Sequence, residues 1–410
     1  LSESRARIVV LSALFPSPAR PHAGVFIRER MFRVAKHLPL TVISPQPWFP
    51  GQGLIRLLRP GYRPAAPSHV RQDNIDVYYP RFLAVPGVLR WLDGWAMALA
   101  CVWRLRRLQR DGVRLIDAHF GYPDGEAATH LGRWFGLPVT VTLRGTEVPH
   151  SRNPALRPRL AQALRHATRV FAVSDSLRRL ALELGVDADK TEVVGNGVDT
   201  ARFHAVDRIA ARQKFALPTD AKVLVSVGAL VERKGMQRVI ECLPALLTTC
   251  PELHYLIVGS GGPEGDSRAE LVAQTARLGV ASRVHFVGAL PPDELKWALS
   301  AADVFVLATH NEGWANVFLE AMACGLPVVT TDVGGNAEVV CREDLGSIVP
   351  FGDGAALQQA LAEALATDWD HAAIVRYAQA NQWDKRVAQL LRAYAEIADT
   401  WSAPTALVAK

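Results

Sequence analysis

Residues 311–338 read NEGWANVFLEAMACGLPVVTTDVGGNAE, close behind the apolar run DVFVLA at 303–308. The order is strand, glycine-bearing loop, helix and strand, the seed of a parallel sheet. The helix is expected to begin within Trp314–Val317. Working outward, KVLVSVGAL, LHYLIVGSG, VHFVGAL and PVVTTDVGG are further strand candidates with helical stretches between them. These runs are short, β-branched and nearly continuous, as parallel strands covered on both faces require.

The same alternation runs through the first half. A strand at 7–14 is broken by Pro16, Pro18 and Pro21, and Gly24 precedes a helix over 25–37 and a strand over 40–44. LIDAHF, PVTVTLRG and RVFAVSD are later strands, with Ser174 or Asp175 capping the next helix. Residues 45–80, rich in Pro, Gly and Arg, are expected to be irregular, and 205–220 to be a linker. A chain of 410 residues exceeds one core, so two domains are expected. The fold class is α/β: two Rossmann-like, doubly wound parallel-sheet domains, residues 1–204 and 205–380, facing across a cleft. The end of the chain, from 381 to about 400, reads as a further helix. Ligands in such sheets sit at the carboxyl ends of strands.

Charge is uneven. Residues 1–200 carry 28 Lys and Arg against 16 Asp and Glu, and residues 201–410 carry 18 against 24. The basic half suits an anionic partner: nucleic acid, an anionic bilayer or a lipid-phosphate acceptor. An ordinary solvated surface is the plainer account. No zinc-finger or RNA-binding pattern supports nucleic acid. Residues 88–110, VLRWLDGWAMALACVWRLRRLQR, admit two readings. One is a basic amphipathic helix lying on a membrane. The other is a domain helix with its apolar face inside and its basic residues outside. Five widely spaced cysteines suggest reduced, mostly buried thiols in a cytosolic chain. RIVVLSALF is too short to span a bilayer.

Several residues suit chemistry on an anion. Glu312 and Glu320 flank the start of the helix after DVFVLA. Free N–H groups at Trp314, Ala315, Asn316 and Val317 would face an anion, and a glutamate further along could bind vicinal hydroxyls. A solvated acidic face is the alternative. Arg233 and Lys234 follow the strand VLVSVG, where a fork and a point charge suit a diphosphate, unless they are a surface pair. Gly259 opens GSGG after YLIV. His119 and Arg144 stand at strand ends, where a histidine can donate to a hydroxyl or act as acid or base, though a lone histidine is more often structural. Glu147 is an acceptor-side carboxylate candidate. The sequence holds no GxGxxG opening a first βαβ unit, P-loop, GxSxG, HExxH or CxxC pattern, and Asp187 and Asp189 in DADK, between a helix and a strand, read as a turn, so no metal and no cofactor are expected.

With these residues in hand, the chain resembles glycosyltransferase family 4, whose members have the GT-B fold. The resemblance is carried by Glu312 and Glu320 with AMACGLPVVTTDVGG, by NGVD at 196–199, VGALVERKG at 227–235, VGSG at 258–261, FVGAL at 286–290 and by Glu338. It implies a retaining transfer from a nucleoside diphosphate sugar, UDP- or GDP-linked. Glu320 would bind the ribose and Glu312 the sugar. Arg233 and Lys234 would clamp the diphosphate, with Gly24 approaching it from the first domain. Gly259, Val287 and the amides of Trp314, Ala315, Asn316 and Val317 would complete the donor set. His119 would lie near the sugar, and Arg144, Glu147 and Asn196 on the acceptor side, and the helix over 381–400, with Trp383, would cross back to the first domain. Two departures stand out: EGWAN replaces the commoner Glu-Gly-Phe-Gly, and LRGTE stands where many relatives carry His and Asp.

The subgroup resembled most builds bacterial exopolysaccharide, lipopolysaccharide or teichuronic-type polymers on glycan or lipid-diphosphate acceptors. That implies a cytoplasmic enzyme, peripheral on the inner face of the membrane. The rivals are a nucleotide-sugar epimerase of the same fold, a catalytically silent scaffold subunit, and a basic nucleic-acid-binding protein.

Overall fold

The computed structural model describes residues 7–21, 23–58, 62–262 and 264–400. The chain forms two compact units, residues 1–196 with 386–410, and residues 197–385.

The first unit holds ten strands in chain order: β1 (Arg7–Leu11), β2 (Leu40–Ile43), β3 (Gln46–Trp48), β4 (His69–Gln72), β5 (Ile75–Tyr78), β6 (Arg81–Leu83), β7 (Val113–His119), β8 (Val139–Leu143), β9 (Arg169–Ala172) and β10 (Thr191–Val193). Eight of them form one sheet in the order β10-β9-β8-β7-β1-β2-β5-β4, and β3 and β6 pair apart from it. All neighbours in the large sheet are parallel except β4 and β5. The sheet is therefore mixed rather than purely parallel, with one antiparallel edge strand, a common variation on this architecture. The core is built of Ile8, Val10, Ile27, Met31, Val42 and Val77. Val387, Leu390, Tyr394 and Ile397 of the last helix, Trp383–Thr400, join it.

The second unit holds β11 (Lys222–Val227), β12 (Leu253–Val258), β13 (Val284–Gly288), β14 (Val304–Leu307), β15 (Val328–Thr331) and β16 (Gly346–Val349). The order is β13-β12-β11-β14-β15-β16, parallel throughout. Most residues of these strands are buried, so the β-branched runs fill a sheet covered on both faces.

Three expectations fail locally. Residues 45–80 are not irregular: they contain β3, the helix Gln52–Leu58, β4 and β5. Residues 59–61 lie outside the described residues. The stretch 205–220 is not a linker. It holds the helix Arg208–Lys214, whose Ala211 is in the second core, and Arg212 Nη2 pairs with Asp303 at 2.9 Å. The helix expected at 88–110 starts at Asp93, after a single tight turn at Arg90–Leu92. The two cap candidates at 174–175 are resolved in favour of Ser174, which accepts from the Leu177 amide.

One partly buried histidine pair in the second unit makes stability depend on pH. His254 Nδ1 lies 2.8 Å from His285 Nε2, and Arg283 Nη1 is 3.2 Å from His254 Nε2. Burial, then His285 and Arg283, push His254 down to about 4. The folded state thus disfavours the charged ring. Its contribution is present above the unfolded value near 6.5 and is lost as pH falls toward and through 4. His254→Leu is expected to reduce the loss of stability between neutral pH and about pH 5 by about 1–2 kcal/mol. Urea titrations of both proteins at the two pH values check this, and parallel losses would refute it.

Candidate functional site

Each sheet has a point where successive strands stop adding on one side and begin on the other. In the second unit the chain winds β11, β12, β13 outward, then returns to place β14 beside β11. The loops leaving β11 and β14 therefore diverge around a crevice at the carboxyl ends of the strands, where open α/β sheets bind ligands. Arg233 and Lys234 lie in the first loop and Glu312 in the second.

Backbone contacts lock the loops together. The His310 amide donates to the Arg233 carbonyl at 2.8 Å, and Thr309 Oγ1 donates to the same oxygen at 3.1 Å. Gly235, at φ 81°, ends the turn Glu232–Lys234, and a β-carbon there would stand 1.9 Å from the Ala308 carbonyl oxygen. Only glycine allows that approach. Gly334, in the loop after β15, backs onto Glu312 in the same way: a β-carbon there would stand 1.7 Å from the Glu312 carbonyl oxygen.

The side chains form a charged cluster. Glu312 Oε1 accepts from Lys234 Nζ, from Thr309 Oγ1 at 3.3 Å and, at 3.5 Å, from Arg233 Nη1. Arg233 Nη1 also donates to the Asn311 carbonyl at 3.0 Å, and Nη2 pairs with Glu264 at 2.8 Å. The hydrogen bond from Arg233 holds Glu264 below the usual carboxylate range and raises Arg233 in turn. Two cations with tied backbones and partly exposed side chains can receive a diphosphate and hold charge that grows on a leaving oxygen.

The rest of the expected donor set surrounds this cluster unevenly. Glu320 lies on the helix Asn316–Ala323, half-buried. That helix starts at Asn316, so Trp314 and Ala315 belong to the loop ahead of it rather than to its first turn. Trp314 Nε1 is buried without a hydrogen-bond partner among the described residues. Gly259 follows β12, and its amide donates to the Gly288 carbonyl at 2.9 Å, just beyond Val287. Arg238, His310 and Phe351 line an open pocket beside Arg233 that Lys234, Glu312 and Glu320 do not reach.

The first unit gathers its candidates differently. Its own switch point lies between β1 and β7. Gly24, at φ 68°, precedes the helix Val25–Val34 in the loop after β1, where a β-carbon would stand 2.3 Å from the Leu14 carbonyl oxygen. His119 ends β7, Arg144 follows β8 and Asn196 follows β10. All three meet. Arg144 Nε donates to His119 Nδ1 at 3.1 Å, and Arg144 Nη1 to Asn196 Oδ1 at 3.3 Å. Arg30 is fully buried and donates to the Val194 and Gly195 carbonyls at 2.7 and 2.9 Å and to Asn196 Oδ1 at 2.9 Å.

This network gives His119, Glu147 and Asn196 partners inside the first unit. His119 is fully buried, and burial, then Arg144 and Arg30, hold it well below the ordinary histidine value. Its Nδ1 accepts from Arg144, so the ring is neutral with its proton on Nε2, 3.4 Å from Asp117 Oδ2. In this arrangement one ring nitrogen is engaged by Arg144 and the other faces Asp117. Glu147 is fully buried and accepts from the amides of Gly121, Arg144 and Gly145 at 2.8, 3.1 and 2.8 Å. Those bonds tie the loop after β7 to the loop after β8. Asn196, 3% exposed, serves as the common acceptor for two arginines.

Several members of the sites carry no sequence signal. Asp117, pushed up to about 6 by burial against the hydrogen bond from Thr140, reads as a strand residue. Asp124, pushed up to about 7 by burial, accepts from the Ala13 amide and so ties the β1 loop to the β7 loop. Thr309 stands in DVFVLATH at the end of a strand, where nothing in the sequence marks it.

Comparison with known proteins agrees with this geometry. Residues 207–382 match the model of glycosyl transferases group 1, and residues 55–202 that of glycosyltransferase family 4. Over 392 residues the chain is 30% identical to TuaC of Bacillus subtilis, a glycosyltransferase assigned by name to teichuronic acid biosynthesis, covering 93% of this chain and 92% of that one. It is 31% identical to a D-inositol 3-phosphate glycosyltransferase of Acidothermus cellulolyticus, covering 72% and 70%. Among solved structures, sucrose-phosphate synthase from Thermosynechococcus elongatus superposes with a TM-score of 0.77 at 21% identity, covering 96% of this chain and 99% of that one. HepE of Anabaena, solved with UDP, gives 0.72 at 20% identity, covering 95% and 100%. With strand order, switch-point loops and sequence in agreement, the chain belongs to glycosyltransferase family 4 and is a glycosyltransferase of the GT-B fold.

Proposed function

We propose that this enzyme moves a hexose-type sugar from a UDP- or GDP-linked donor to a hydroxyl of a glycan or lipid-linked acceptor, with retention, in bacterial surface polysaccharide synthesis. The observation that carries the reading is the placing of Arg233, Lys234 and Glu312 together at the switch point of the second sheet. The 30% identity to TuaC along nearly the whole chain favours a surface polymer, and the HepE structures with UDP and UDP-glucose favour a nucleotide-sugar donor.

In this reading Arg233 and Lys234 hold the diphosphate. Among the described residues Glu312 makes its bonds through Oε1, which leaves Oε2 to accept from a sugar hydroxyl. Glu320 takes the ribose hydroxyls. The bond from the anomeric carbon to the leaving phosphate oxygen breaks, and the acceptor oxygen bonds to that carbon on the same face. The leaving oxygen takes the acceptor's proton, which is consistent with a neutral, buried His119 that supplies none. The cations hold the charge left on the diphosphate.

The donor site is tested by thermal unfolding with UDP, GDP, ADP and their hexose forms. One nucleoside diphosphate is expected to stabilise the chain by about 2–3 kcal/mol at a hundredfold excess over its Kd, and Glu320→Ala to abolish the shift. No shift with any of them, or an unchanged shift in Glu320→Ala, refutes the assignment.

A further inference from the structure

The helix Asp93–Arg110 buries Met97, Ala98, Cys101, Leu105 and Leu108 against its own unit. Its opposite side is unusual. Trp95, Leu99 and Trp103 follow one another at four-residue spacing, 39%, 59% and 78% exposed. Residues four apart share one helix face, so the three form a continuous apolar stripe in solvent. Trp134 stands beside it, its ring centroid 5.5 Å from that of Trp95. Just ahead of the helix Val88, Leu89 and Trp91 are exposed too.

The stripe is not scattered surface hydrophobicity. Of sixteen large hydrophobic side chains exposed among the described residues, thirteen lie between Trp48 and Trp134. Among these, Trp95, Leu99 and Trp103 lie on one helix face with Trp134 against Trp95, a contiguous apolar patch and not single exposed residues. At its carboxyl end the stripe runs into arginines: Arg106, Arg107 and Arg110 share a shallow pocket with Trp103. The helix has one acidic residue, Asp93, in its first turn, against four arginines. The soluble-helix reading, apolar inside and basic outside, thus accounts for the arginines but not for Leu99 and Trp103.

We propose that this face docks the enzyme on an anionic bilayer surface. Tryptophan favours the boundary between headgroups and acyl chains, where its ring is buried and its N–H stays wet. Leu99 enters beside it. The arginines meet lipid phosphates and anionic headgroups. An apolar stripe bordered by cations, on a helix too polar to cross, is the signature of a helix lying in the interface. No helix among the described residues is long and apolar enough to span a membrane.

The test is flotation of the full chain with vesicles of phosphatidylcholine alone and with about one part in three of phosphatidylglycerol. The wild type is expected to float with the anionic vesicles and to be released by high salt. L99S/W103S and R106E/R107E are each expected to bind at least about 10-fold more weakly. Both pairs are exposed, so melting temperatures are expected to stay near wild type. Failure of the wild type to bind anionic vesicles, or equal binding by the variants, overturns the proposal. So does a dimer dissociated by L99S/W103S, which would assign the stripe to self-association. Salt-sensitive capture of DNA in place of vesicles would overturn it as well.

Discussion

Lys234→Ala is expected to lower kcat by about 100- to 1,000-fold, the usual consequence of removing one preorganised charge from a developing oxyanion. The loss belongs to chemistry and not to folding. Lys234 is partly exposed, and its departure leaves Glu312 Oε1 still accepting from Arg233 and Thr309. Arg233 cannot replace it, because its Nη2 faces Glu264 and its Nη1 is tied to the Asn311 carbonyl. Steady-state assay of donor consumption checks this, with circular dichroism to show that the fold is intact. A rate within a few-fold of wild type would remove Lys234 from the mechanism.

Arg30→Met is expected to cost the first unit about 3–5 kcal/mol. Arg30 is fully buried, and burial pushes it down to about 10, still above neutral pH. Its guanidinium satisfies two carbonyls and the Asn196 amide oxygen in the loop after β10. Methionine fills the volume but takes the buried donor from the Val194 and Gly195 carbonyls and from Asn196 Oδ1, and it removes a cation facing Asp117. Denaturant unfolding is the measurement. With two units the transition splits, the first unit leaving earlier than the second, so a single fitted midpoint is not the readout. An unchanged early transition would show that the network contributes little.

The fold class was legible because parallel strands announce themselves. LHYLIV and VFVL are continuous apolar runs with few rivals for their conformation. The edge strand β4, HVRQ, carries no such run. It is held by pairing with β5, which a local reading does not see. The three-residue strands β3 and β6 are hidden for the same reason, β3 with a proline inside it. Arg208–Lys214 looks like linker because its charges are many, yet Arg212 is buried against Asp303 and the Ala301 carbonyl.

The sites divide along the same line. Arg233, Lys234 and Glu312 were legible because each follows a strand, and the switch point then brings them together without long-range information. Glu147 is not legible in this way, because a carboxylate that satisfies three backbone amides looks, in sequence, the same as one awaiting a substrate. Arg30 gives no signal, since VFIRERMFRV resembles any helix with solvated charges. Only the meeting of the β7, β8 and β10 loops over it makes it interior.

The central claim is transfer from a nucleotide sugar with retention. It is tested most directly by supplying the purified enzyme with its nucleoside diphosphate hexose and a polysaccharide-synthesis acceptor fraction, then following nucleoside diphosphate release and the product's anomeric configuration by proton NMR. The account predicts release that depends on acceptor, a product with the donor's configuration, and neither in Lys234→Ala. An inverted product, or interconversion of the donor sugar with no acceptor present, would contradict it.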